Sequence, residues 1–375
     1  VALRHGVHGD AELAFEEHVS SGRVAEAAAE AGFDVQHGYG GLETAVVAEY
    51  GSGPLVVAVC AEYDALPAIG HACGHNVIAA AGVGAALALA RVADEVGLTV
   101  RLVGTPAEEN GGGKILLLEA GAFDGVHAAM MVHPFPDELD TLECLAVAHL
   151  EVGFRGRSAH ASAFPQQGRN AADALTVAQV GIGLLRQHLA ADHRVHGIVT
   201  DGGDAPNIIP ERAGGKWYVR ASTLAELQSL FPRVRACFEA GALATGTELV
   251  LGDTSPPYSE FDPDADLLAA YRRRAEALGR VFVAPQPGQV GSTDMANVSL
   301  EIPSIHPTLG LATDEVNHTR GFTAACITAD ADLAVHDGAV AMAQAAVDAA
   351  TQPALRERLL SRAFDSATYE LPSVR

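Results

Sequence analysis

Residues 54–61, PLVVAVCA, carry no charged side chain. A strand without a polar face must be covered on both faces, so this run demands a sheet with helices packed on either side. LTVRLVG (98–104) and HAAMMV (127–132) read as further strands of the same kind. VIAAAGVGAALALARVADEV (77–96) and KILLLEAGAF (114–123) lie between them with helical patterning, the first Ala-rich enough to pack closely on a sheet. Residues 11–32 also carry apolar positions at helical spacing and stop at Gly32, a natural C-cap. The alternation predicts an α/β fold, a mostly parallel sheet flanked by helices.

The pattern changes near residue 144. CLAVAHLEVGFRG (144–156) alternates in its second half, placing Leu150, Val152 and Phe154 on one face. A helix over 170–190, strands near 196–201 and 211–221, a helix over 223–244 and a strand over 247–252 complete a β-α-β-β-α-β order of about 110 residues, which is ferredoxin-like. The α/β pattern resumes after SPPYSE. The expected organisation is a discontinuous catalytic domain, 1–143 and 255–375, with an inserted α+β dimerisation or lid domain at 144–254.

Composition narrows the function classes. With 375 residues the chain exceeds the usual size of one core, so two domains are expected. A formal charge of −23 repels polyanions and argues against nucleic acid as a partner. Five cysteines scattered through a long chain do not form a disulfide framework, which favours a reducing cytoplasm. The apolar runs are short or broken by charge and no signal peptide is evident, so neither a membrane span nor secretion is expected. The chain starts at Val1 without a methionine, so N-terminal residues are expected to be missing. Lysine occurs only at Lys114 and Lys216.

Chemistry-bearing residues fall where an open α/β sheet binds ligands, at the C-terminal ends of its strands. The strand over 54–61 runs into Glu62 and Asp64 and then HACGHN (71–76); the strand over 98–104 runs into Glu108 and Glu109; the strand over 127–132 ends at His133. Taken singly, Cys73 suits a small buried hydrophobe, His75 a helix start, and His133 a satisfied loop histidine. Together Cys73, His75, Glu109 and His133 mix thiolate, imidazole and carboxylate, a metal-binding set. Their spacing differs from the C-x-x-C of structural zinc, which favours a catalytic site with open positions. The G-x-G in AGVGAAL permits a rival dinucleotide-binding reading, but it sits inside a helical run without the acidic residue such a site needs.

AELAFEE, AEYDALP, HACGHN, TPAEENGGGK, MVHP, GRSAHAS, NIIPERA, GSTDMANVS and NHTRGF, in this order over nearly the whole chain, resemble the two-metal aminoacylase and carboxypeptidase G-type metallopeptidases. The likeness is to their amidohydrolase branch of hippurate, indoleacetyl-amino-acid and p-aminobenzoyl-glutamate hydrolases. That resemblance implies metal-dependent hydrolysis of an amide bond in an N-acyl amino acid, dipeptide or p-aminobenzoyl-glutamate-like substrate. It also implies two divalent ions per chain, zinc first and manganese or cobalt as alternatives. Cys73 would bridge the ions, with His75, Glu109, His133 and the distant His318 as further ligands. Glu108 would be the general base and Asp64 would orient a ligand.

Within the inserted domain, the resemblance assigns His160 to the neighbouring subunit's active site of a homodimer, where it holds the carbonyl oxygen. Asn207 and Arg220 would hold the substrate carboxylate. GSTDMANVS departs from the acidic E-D-F segment common in the branch, and Asn76 stands where others have Asp, which leaves the acyl preference open. The alternative to an active enzyme is a catalytically silent homologue that binds metal or peptide.

Overall fold

The computed structural model describes residues 1–286 and 288–374. Its first unit comprises Val1–Glu143 and Phe261–Leu371; the second comprises Cys144–Glu260 and the chain end from Pro372.

In the first unit a six-stranded sheet runs in the order Asp34–His37, Val46–Gly51, Leu98–Thr105, Leu55–Glu62, Ala128–Met130, Ser304–Ile305. The last four strands are mutually parallel, and the first two join antiparallel at one edge. PLVVAVCA explains why the sheet is two-sided. Val57, Val59 and Ala61 enter one core with Val77, Ala81 and Met342, while Ala58 and Cys60 enter another with Leu117, Leu118 and Phe123. The helix His75–Ala90 lies so close to the central strand that a Cβ at Gly82 would sit 2.6 Å from the Cys60 carbonyl oxygen.

One helix differs from the sequence reading. Residues 11–32 do not form a single helix: Ala2–Asp10 and His18–Glu30 are helical, with Ala11 and Phe15 at positive φ between them. The Glu12 carboxylate accepts from the N–H groups of Val19 and Ser20 at 2.9 and 2.8 Å, so it caps the second helix instead of extending it. Periodicity alone does not reveal that break, because the apolar spacing continues across it.

The second unit is β-α-β-β-α-β: Ala146–Arg155, Ala171–Leu185, Arg194–Asp201, Arg212–Ala221, Leu224–Thr245, Glu248–Asp253. Its strands pair antiparallel with the last strand beside the first and the third strand between the first and the second. Leu150, Val152 and Phe154 are buried with Trp217 and Phe238, and Glu151 between them is exposed. Residues 255–260 pack with this unit, through the Val147–Tyr258 bridge and the Leu224 N–H to Glu260 hydrogen bond. Among the described residues no helix is long and apolar enough to cross a membrane.

Candidate metal centre

Parallel pairing brings three strand ends to one edge, with Glu62 opposite Thr105 and Val59 opposite Met130. The turns leaving that edge carry Asp64, the Glu108–Glu109 pair and His133. HACGHN follows as the start of the helix His75–Ala90, and Gly74 at φ +83 takes the left-handed turn into it. A Cβ at Gly74 would meet Pro134 at 2.4 Å, so glycine is required for Cys73 and His133 to approach.

Each histidine is oriented by its second nitrogen. His75 Nδ1 lies 2.9 Å from Asp64 Oδ1, and His133 Nδ1 lies 2.9 Å from the Pro134 carbonyl, so both present Nε2 to the centre. The other Asp64 oxygen accepts from the Glu109 N–H at 3.0 Å. Asp64 therefore fixes a histidine and the glutamate loop together. His318 reaches the centre at φ +67, with its N–H on the Ala72 carbonyl at 2.8 Å, and Asn317 Nδ2 donates to the Cys73 and Pro134 carbonyls.

Two groups of donor atoms share Cys73. Cys73, His75 and His133 lie within 4.8 Å of one another, and so do Cys73, Glu109 and His318. Cys73 Sγ is 3.4 Å from His133 Nε2, and His318 Nε2 is 3.5 Å from Glu109 Oε1. Three buried atoms here, His75 Nε2, Glu62 Oε2 and Glu109 Oε1, have no hydrogen-bond partner among the described residues. Leaving buried polar atoms unmatched costs stability that divalent cations would recover. The residues therefore fit two ions.

Electrostatics agree. Burial and then the Glu109 charge push the Cys73 thiol well above its usual range, so cation binding must displace its proton. Burial, then the Glu62 and Glu109 carboxylates, push Glu108 upward. Burial also raises Asp64 and Glu109, but their imidazole partners outweigh it and both end below the ordinary carboxylate value.

Sequence reasoning missed Glu17, the residue that holds the Glu108 loop. Ala107 precedes Glu108 at φ 59, a left-handed conformation costing roughly 1 kcal/mol. Glu17 Oε1 accepts the Ala107 N–H at 2.9 Å, and Thr44 Oγ1 donates to Glu17 Oε2 at 2.7 Å. Burial, then the Asp64 charge, push Glu17 up to about 7, whereas an unfolded glutamate titrates near ~4.3. The native state thus holds this proton more tightly. The resulting stability is fully present below about pH 4.3 and is lost as pH rises through about 7. Glu17→Gln keeps the acceptor without titrating. In urea unfolding it should match wild type near about pH 4 and exceed it near about pH 8 by up to roughly 3 kcal/mol; equal stability at both pH values would refute the assignment.

The remaining sequence candidates lie in the second unit. His160 is exposed, and its Nδ1 accepts from the N–H groups of Ser162 and Ala163 at 3.3 and 3.2 Å, which puts the proton of the neutral ring on Nε2. Asn207 is its neighbour, its carbonyl accepting from the Ala161 N–H at 2.9 Å. Arg220 Nε donates to His196 Nε2 at 3.4 Å, with the guanidinium 5.7 Å from the Tyr218 ring centroid. Burial and then Arg220 lower His149 to about 4, and the same two causes lower His196.

Comparison with known proteins accords with this geometry. Residues 58–332 match the model of peptidase family M20/M25/M40. The chain is 40% identical over 296 residues to a mouse Xaa-Arg dipeptidase, covering 77% of this chain and 69% of that one. To one of the subunits of the Escherichia coli p-aminobenzoyl-glutamate hydrolase it is 35% identical over 258 residues, covering 63% of this chain and 53% of that one. Among solved structures, a dinuclear metal-binding peptidase of the M20 family from Bacillus subtilis superposes with a TM-score of 0.68 at 25% identity, over 92% of this chain and 96% of that one. A donor set that fits two divalent ions, on the fold of a dinuclear metallopeptidase, leads to one conclusion: the chain belongs to peptidase family M20/M25/M40 and is a metal-dependent hydrolase of that family.

Proposed function

We propose that the chain hydrolyses the amide bond of dipeptides or N-acyl amino acids, p-aminobenzoyl-glutamate-like compounds included. Two divalent ions would be held by Cys73, His75, Glu109, His133 and His318. The observation that carries this reading is the presence of Cys73 in both donor groups, with the Glu108 carboxylate 3.7 Å from His75 Nε2. Cys73 would contribute to both sets, with His75 and His133 completing one and Glu109 and His318 the other. When bound, such ions acidify a water and polarise the substrate carbonyl. Glu108 accepts the proton from that water and returns it to the leaving nitrogen. Asp64 keeps His75 and the Glu109 loop in register through its two oxygens. Thiolate and imidazole donors favour zinc, and manganese or cobalt suit the same set with its carboxylate.

Dipeptides are the first class to test, given the 40% identity to a dipeptidase. Metal-stripped protein reloaded with zinc, manganese or cobalt should hydrolyse members of a panel of dipeptides, N-acyl amino acids and p-aminobenzoyl-glutamate. Two bound ions with no hydrolysis of any member would favour the catalytically silent reading instead.

In the second unit, Asn207 and Arg220 are assigned to the free carboxylate of the substrate. A planar guanidinium suits a carboxylate, and a local cation is needed on a chain of net charge −23. Arg220→Ala should lower kcat/KM for a carboxylate-bearing substrate by roughly 30-fold, about 2 kcal/mol, and change the amide-capped analogue little. Equal losses on both substrates would show that Arg220 serves structure.

The second unit is also assigned to homodimer formation, with His160 supplied to the partner's site. Its edge strand Arg194–Asp201 pairs on one side only within the four-stranded sheet and exposes Ile198 and Val199, an edge that a second copy can cover. All five cysteines are free, which suits a reducing compartment such as the cytoplasm.

A further inference from the structure

Lys114 is buried with no exposed surface, in a chain with two lysines among its 24 basic residues. Its ammonium lies 2.5 Å from Glu62 Oε1 and 2.7 Å from Asp294 Oδ1, and its backbone N–H donates to Asp294 Oδ2 at 2.8 Å. Glu62 and Asp294 are as fully buried as Lys114. Asp294 lies in GSTDMANVS, the segment that sets this chain apart from the commoner sequences of the branch. Buried ion clusters rarely repay their desolvation in stability, so a fully buried cluster with two carboxylates and one ammonium calls for another account. A compact ammonium with three donors can serve two carboxylates where the longer guanidinium fork demands more room.

The cluster occupies one oxygen of Glu62 and leaves the other turned to the metal centre. Glu62 Oε2 is buried and lies 3.3 Å from His75 Nε2, and neither atom has a hydrogen-bond partner among the described residues. Since His75 Nδ1 pairs with Asp64, Nε2 is the nitrogen turned toward Glu62 Oε2. Two donors bound to one ion at about 2.1 Å on adjacent tetrahedral vertices are about 3.4 Å apart. Glu62, His75 and Glu108 also form a third group of potential ligand atoms within 4.8 Å of one another. We propose that Glu62 is a sixth protein ligand of the metal centre, sharing the ion of His75 and held in place by a buried anchor of Lys114 and Asp294. This rests on the metal-centre reading above. Lys114 and Asp294 are positioning residues, acting through Glu62 alone.

The test is equilibrium competition for Co²⁺ against a chromophoric chelator, with visible absorption of the bound ion recorded. Wild type should bind two ions. Glu62→Gln and Lys114→Met should each keep one at wild-type affinity, bind the other roughly 10- to 100-fold more weakly, and alter the Co²⁺ absorption of that weakened site. The double variant should be no weaker than Glu62→Gln, because both changes remove the same ligand. If Lys114→Met does not fold, Glu62→Gln decides alone, since its amide oxygen still accepts from Lys114. Two ions at wild-type affinity with an unchanged spectrum in Glu62→Gln would overturn the proposal while leaving the metal centre standing. Fewer than two ions in wild type would overturn both.

Discussion

Glu108→Ala is expected to retain both metal ions and to lose roughly 10²- to 10⁴-fold in kcat. Glu108 and Glu109 are adjacent in sequence but face different tasks. Glu109 lies 3.5 Å from His318 Nε2 and shares a donor group with it and Cys73. Glu108 belongs to neither Cys73-containing group and approaches His75 Nε2 at 3.7 Å. In the proposed assignment, removing Glu108 takes away the proton acceptor and leaves the proposed ligands Cys73, His75, Glu109, His133 and His318 in place. Removing Glu109 takes away a proposed ligand, so Glu109→Ala should lose metal as well as activity. Metal content by elemental analysis beside single-turnover rates separates the two. Equal metal loss in both variants would show that the division of labour between the neighbours is wrong.

The second large effect comes from mixing two inactive proteins. His160→Ala and Glu108→Ala should each be nearly inactive alone. In the proposed homodimer, with the two variants unfolded together in equal amounts and refolded, random pairing makes about half the dimers mixed, each with one site carrying both defects and one carrying neither. About a quarter of all sites should then be active. The physical basis is the proton on His160 Nε2, which the two backbone N–H groups on Nδ1 impose and which suits a donor to a developing oxyanion. A refolded mixture as inactive as its parents, while wild type treated identically recovers, would show that His160 acts within its own chain or not in the reaction.

Much of the fold is legible because it depends on local pattern. PLVVAVCA has no polar face and becomes a central strand with a core on each side. The alternation of buried Leu150, Val152 and Phe154 with exposed Glu151 and Arg155 and half-buried Gly153 marks a strand with one buried face. The break at residues 11–17 is not legible, because it depends on one carboxylate folding back onto two N–H groups.

Short-range pattern and residue chemistry are enough to read the alternating α/β architecture, the β-α-β-β-α-β order and the ligand candidates in HACGHN, TPAEEN and MVHP from the chain. Tertiary structure alone brings His318, from the far end of the chain, into the same group as Cys73 and Glu109. It alone also turns Glu17 onto the Ala107 N–H and closes Lys114, Glu62 and Asp294 into one buried cluster. These contacts join segments far apart in the chain, so no local periodicity encodes them. They exist because parallel pairing carries several strand ends, and the turns that leave them, to one edge.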